Sequence, residues 1–147
     1  MIKLRFCRAI RHLLLVGSAL LCAFPLLAQE IKIGLKTEPT ALDPQFFLLT
    51  SNLQVAAHIF EGLTRLDEKI QVQPSLAQSW RAISQTVWEF KLRSHVTFSD
   101  GSPFTAQDVV FSINRVAKVP NSPSSLTIHT RNIDRVEIVD PLTVHVH

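Results

Sequence analysis

Six histidines, twelve acidic residues and two cysteines are the side chains of this 147-residue chain best suited to moving protons or holding cations. Two of the histidine arrangements have a spacing that such chemistry could use. His58 and Glu61 stand three apart in a segment that reads as a helix, and His145 and His147 share one face of a strand. A metal centre needs three or four converging donors held by further hydrogen bonds. Neither pair supplies that number, so both read as solvated faces and no metal ligand is assigned. Cys7 and Cys22 both fall within the first 28 residues, which leaves the remainder without soft ligands or disulfides. Catalysis has no foothold either. There is no Gly-x-Ser-x-Gly elbow, no zinc-protease helix motif and no phosphate-binding loop, and the four glycines are scattered. The expectation is a binding protein without catalytic residues or cofactor.

The elements that would position a binding site begin after a distinct first segment. Lys3, Arg5, Arg8 and Arg11 open it without any acid, Leu13 to Phe24 is almost wholly apolar, Pro25 interrupts, and Ala28 precedes Gln29. This is the pattern of a secretory signal peptide covering residues 1–28 and cleaved after Ala28. The apolar run falls short of the roughly 20 residues that span a bilayer. An uncleaved anchor remains an alternative, as does a lipoprotein starting at Cys22, although Leu21 before it is larger than such signals use. Cleavage removes four of the fifteen basic residues and no acid, leaving 119 residues with a formal charge of −1. That balance argues against nucleic acid as a partner. At 46% hydrophobic and 18% charged, the chain is too apolar to be disordered.

Within residues 29–147, Ile31 to Leu35 alternates as a strand, and two prolines make Thr37 to Pro44 irregular. Apolar residues at helical spacing predict a helix from about Leu48 to Leu63, stopped by Gly62. Leu63–Leu66 reads as a strand followed by a polar turn at Asp67–Lys69, Pro74–Gln78 as a single helical turn, and Trp80–Ile83 as a strand. Val87–Arg93 alternates, with Trp88, Phe90 and Leu92 expected inside and Glu89, Lys91 and Arg93 outside. Asp100-Gly101 marks a turn. Thr105 with Asp108 fits a capping box, and Ala106, Val109, Val110, Ile113 and Ala117 form the apolar stripe of a helix ending near Lys118. After a loop over Pro120–Ser125, strands are expected at Ile133–Val139 and Leu142–His147, turning at Asp140-Pro141. The last alternation runs unbroken to His147, which reads as a truncated lobe.

The run from Leu92 to Arg115, LRSHVTFSDGSPFTAQDVVFSINR, closely resembles the signature of the peptide/nickel solute-binding family, the extracytoplasmic binding proteins of ATP-driven importers. Leu42-Asp43-Pro44, Phe60-Glu61-Gly62-Leu63, Pro74 to Trp80 and Asp140-Pro141 are further marks in the order that family shows. Within the signature, Asp100, Gly101, Pro103, Thr105, Ala106, Asp108, Val109, Phe111, Ser112 and Arg115 are read as framework. Asp100 orders the turn, and Phe98, Phe104 and Phe111 are expected in the core.

The resemblance implies an α/β fold of the type II periplasmic-binding-protein kind, two-lobed, with a mixed sheet and packed helices, of which only part of the N-terminal lobe is present. It implies a periplasmic monomer that captures a peptide or related small solute and delivers it to an inner-membrane permease. By position it also implies a cleft border at Lys36, Thr37, Glu38 and Pro39, beside Phe46 and Phe47, where Glu38 could meet a peptide's amino group. Nickel- or haem-binding relatives, a gene remnant and a small exported interaction module stay open as alternatives.

Overall fold

The computed structural model describes residues 30–123 and 126–147, so the expected signal segment lies outside the described residues. The chain divides into two compact units, residues 1–34 and 35–147. Of the first, residues 30–34 have no regular structure, Ile31 is 83% exposed, and Lys32 pairs with Glu30 at 3.7 Å. The strand expected over Ile31–Leu35 is therefore not formed. Alternation selects a face, but a strand exists only where a neighbour takes up its backbone hydrogen bonds.

The second unit opens with an irregular segment and a short helix, α1 (Thr50–Ala56), followed by a hairpin of β1 (Thr64–Leu66) and β2 (Val72–Pro74). Next come β3 (Ala77–Ala82), β4 (Trp88–Leu92), α2 (Ala106–Arg115), β5 (Val136–Asp140) and β6 (Thr143–Val146). Strands β3 to β6 form one sheet in the order β3-β4-β6-β5. The combination of sheet and packed helix is as expected. Every pairing among the described residues is antiparallel, however, where a mixed sheet was expected, because β4 and β6 run in opposite directions despite the intervening helix.

The stretch from β4 to α2 is held by closely spaced local contacts. A small hairpin closes with Phe98 N–H donating to the Ser102 carbonyl at 2.8 Å and Gly101 N–H donating to that of Phe98 at 2.9 Å. Gly101 sits at φ +86°, a left-handed position that glycine adopts without strain. The capping box forms as expected. The backbone N–H of Thr105 donates to the Asp108 carboxylate at 2.7 Å, and its hydroxyl lies 3.0 Å from the same oxygen. The next N–H, of Ala106, donates to the Pro141 carbonyl at 2.9 Å, tying the helix to the β5–β6 turn. Ala77, Leu92, Phe104, Ala106, Val109 and Val144 make the core. One face of the sheet carries Phe90 and Val144 toward this core. The other carries Arg81, Glu89, His145 and Glu137 as a row across all four strands.

Several expectations are corrected. The helix over Leu48–Leu63 is confined to Thr50–Ala56, because Leu49 at its N-cap offers no side chain to cap it. It then tightens into a turn in which the His58 and Ile59 N–H groups reach back only three residues, so Gly62 stops nothing. The Pro74–Gln78 segment is no helical turn. It closes β2 and opens β3, and the N–H groups of Leu76 and Ala77 donate to Gly62 and Leu63. The inner stripe of α2 passes to Val116 rather than Ala117, because the helix ends in a 3₁₀ turn (Val116–Lys118) with three residues per turn. Of the three aromatics expected inside, only Phe104 is buried. Phe98 is half exposed and Phe111 is 67% exposed on the outer side of α2. Trp88 is also exposed, at the end of β4 away from the core. Glu89, expected on the wet face, has only 12% of its side chain exposed.

Candidate functional site

Residues 36–49 form no helix or strand, and side chains reaching from α1, from α2 and from Ser122 in the loop beyond it hold them in place. Asn52, buried on α1, accepts from the Thr40 N–H at 2.9 Å and donates to the Thr40 hydroxyl at 3.2 Å and the Phe47 carbonyl at 3.4 Å. Ser51, also buried, lies 3.5 Å from the Glu38 carbonyl, and Ser122 donates to that of Phe46 at 2.7 Å. From the end of α2, Arg115 grips Asp43 with both terminal nitrogens and donates to the Gln45 side chain at 2.9 Å. Gln45 in turn donates to the Ser112 carbonyl at 2.9 Å. A two-pronged guanidinium–carboxylate pair fixes orientation as well as distance. The same contact holds the Asp43 carboxyl below its ordinary 3.8 and raises Arg115, so this pair stays charged and acts as a clamp.

Two clefts flank this clamp. One, of about 480 Å³, lies between the Pro44–Gln45 turn, α1 and α2, and is floored by Leu53, Phe60 and Ile113. The other, of about 500 Å³, shares Pro44, Gln45 and Phe60 with the first and is also lined by Phe98, Phe111 and Arg115. Both are mainly apolar with a few fixed polar groups, a combination suited to holding an organic ligand.

The sequence-derived candidates fall into two groups. Lys36, Thr37 and Glu38 are exposed, Pro39 is half-buried, and none of them lines either cleft. Phe46 and Phe47 are half-buried, held through the carbonyls that Ser122 and Asn52 engage, and stand apart from both clefts. The signature residues serve the framework. Asp100 accepts from the Ser102 N–H at 2.9 Å and its hydroxyl at 2.7 Å, which lowers its pKa, and Pro103 bridges to Thr97. Ala106 and Val109 are core. Asp108, Phe111, Ser112 and Arg115, however, line the clefts as well. Sequence reading missed Asn52 and the Asp43–Gln45–Arg115 contact. Asp43 lay in a recognised mark, but nothing in the spacing joins it to a residue 72 positions away.

Residues 71–147, just over half of the chain, match the family described as bacterial extracellular solute-binding proteins, family 5. The periplasmic murein peptide-binding protein MppA of Escherichia coli K12 is 38% identical over 88 residues, covering 60% of this chain and 16% of its own length. Among solved structures, NikZ of Campylobacter jejuni in complex with Ni(L-His) is 41% identical with a TM-score of 0.53, over 60% of this chain and 18% of that one. The oligopeptide-binding protein AppA of Bacillus subtilis, in complex with a nonapeptide, aligns with a TM-score of 0.67 at 25% identity, over 74% of this chain and 22% of that one. The chain thus spans about a sixth to a quarter of the length of these relatives.

Proposed function

We propose, from the premise that this chain belongs to the bacterial extracellular solute-binding proteins of family 5, that it forms part of the first lobe of an importer's solute receptor. The lobe presents one wall of a cleft in which a peptide or related small solute is captured. The complete receptor closes around that solute as a monomer and passes it to an ABC-type permease in the inner membrane. Residues 1–28 direct export to the periplasm and are removed after Ala28. The receptor binds and carries without catalysing. The observation that carries this reading is the family match over residues 71–147, which contains the capped hairpin–helix unit intact.

Glu38, exposed outside the two clefts with its carbonyl 3.5 Å from the Ser51 hydroxyl on α1, is the group we assign to the solute's amino terminus. A chimera in which residues 1–147 replace the matching part of Bacillus subtilis AppA tests the reading. It is expected to be exported with Gln29 as its first residue by mass spectrometry, and to bind the nonapeptide by calorimetry. Glu38→Gln should weaken that binding by about tenfold, the scale of one charge-assisted hydrogen bond. A folded chimera that ignores the peptide overturns the receptor reading, whereas unchanged affinity in Glu38→Gln removes only Glu38. The 41% identity to NikZ favours a second reading, capture of a nickel chelate, which the same calorimetry decides with Ni(L-His) as titrant.

A further inference from the structure

The polar face of the four-stranded sheet gathers donors that the solute-binding reading does not use. Glu137 on β5 and His145 on β6 are direct cross-strand partners, and His147 lies two residues along the same face. One ligand atom from each of the three lies within 4.8 Å of the others. None of these residues lines either cleft. We propose that Glu137, His145 and His147 bind a single borderline divalent cation of the zinc type.

The arrangement is largely built in advance. His147 falls just past β6, yet its backbone stays in the ladder, accepting from Asp134 N–H at 2.8 Å and donating to the Arg135 carbonyl at 2.9 Å. Facing residues in an antiparallel pair have Cβ atoms about 5 Å apart, close enough for an imidazole and a carboxylate to share an ion. The two imidazoles are 21% and 18% exposed and Glu137 is 54% exposed, so the nitrogens are shielded while the carboxylate leaves an entry open. The Glu137 carboxylate is already 3.1 Å from Nε2 of His147. Metal–ligand bonds of about 2.0–2.2 Å would draw these three atoms together from separations within 4.8 Å.

A supporting group is present too. Nε2 of His145 lies 3.3 Å from a Glu89 carboxylate oxygen, and the other oxygen of Glu89 accepts from Arg81 at 2.9 Å. A carboxylate on one ring nitrogen fixes the tautomer and leaves the lone pair on the other, the usual companion of a metal-bound histidine. Two imidazoles and one carboxylate select zinc, cobalt or nickel over magnesium or calcium, which prefer shells of oxygen alone. Arg135 opposes the cation, with a terminal nitrogen 3.5 Å from Nε2 of His147. Its side chain is 58% exposed and already paired with Asp134 at 3.3 Å, so it has somewhere to go when a cation arrives.

The full chain carrying Cys7→Ser and Cys22→Ser, so that thiols contribute nothing, is titrated with Co²⁺ by visible absorption and with Zn²⁺ by calorimetry. One equivalent of each is expected to bind at one shared site, with ligand-field bands that Zn²⁺ displaces and excess Mg²⁺ leaves alone. His145→Ala or His147→Gln should abolish the bands. Glu89→Gln, which reaches the ring but not the ion, should weaken binding by about 10- to 100-fold. Glu137→Gln keeps the shape of the face and serves as the decisive variant should a histidine change disturb the circular dichroism spectrum. Absence of any saturable Co²⁺ or Zn²⁺ binding overturns the proposal. So does full affinity retained in His147→Gln and Glu137→Gln, which would place the ion on other side chains.

Discussion

The stretch from β3 to β6, with α2 packed on it, and the stretch from Lys36 to Phe60 are held by different physics. The first buries apolar surface and satisfies its backbone locally, by ladder, turn and capping box. The second buries little, and its order depends on Asn52, Arg115 and Ser122 reaching across to backbone and side-chain oxygens. Hydrophobic burial is non-directional and resists small errors, whereas a polar clamp fixes geometry and fails when one partner leaves. Residues 35–147 therefore combine a plate held by burial with a segment held by a few individual polar contacts.

Three substitutions sharpen that contrast. Leu92, 1% exposed at the centre of the core, should give the largest effect. Leu92→Ala is expected to cost about 2–5 kcal/mol of stability in urea unfolding, and a loss below about 1 kcal/mol would mean that the plate does not depend on this core. Thr105→Ala removes the hydroxyl half of the capping box and should cost about 1 kcal/mol, again globally. Arg115→Ala acts on the other region and should be the mildest globally, at or below about 1 kcal/mol for a partly exposed pair. Its signature is local. Hydrogen exchange should rise for the amides of residues 43–52 while those of β4 and β6 stay protected. Equal acceleration in both places would erase the distinction between plate and clamp.

The clamp also carries a pH dependence whose sign is fixed. Asp43 titrates below its ordinary 3.8 in the folded chain, mainly through its hydrogen bonds with Arg115. The stability it contributes is fully present above that ordinary value and is lost as pH falls through the lowered one. The difference between Arg115→Ala and the parent should therefore hold at neutral pH and close in acid.

This division also explains what the sequence made legible. Turn chemistry at Asp100-Gly101, the box from Thr105 to Asp108 and the Leu92 alternation act between residues at most four apart, so pattern alone reveals them. The same holds for the family signature, which lies within that stretch. Failures cluster where a distant partner decides. Ile31–Leu35 alternates without becoming a strand, and Pro74–Gln78 turns strand-like because Gly62 and Leu63 accept its N–H groups. Glu89, His145 and His147 alternate as surface residues should, yet β6 lies between two neighbours whose long side chains close over it. Of the candidate site, the framework residues were legible and the clamp was not. Arg115 was visible as part of a motif, while its bond to Asp43 crosses 72 positions.

The place of β6 in the sheet has a kinetic consequence. It is the last of the described strands in sequence, yet it sits between β4 and β5 and joins them. Before Thr143–Val146 arrives, β4 can pair only with β3 among the described strands, and β5, on which α2 packs, has no described strand beside it. Such non-local pairings are slow because the chain must close a long loop before any contact repays it. In a chain delivered amino end first, the pairing of β4 with β6 must therefore wait until Thr143–Val146 has emerged.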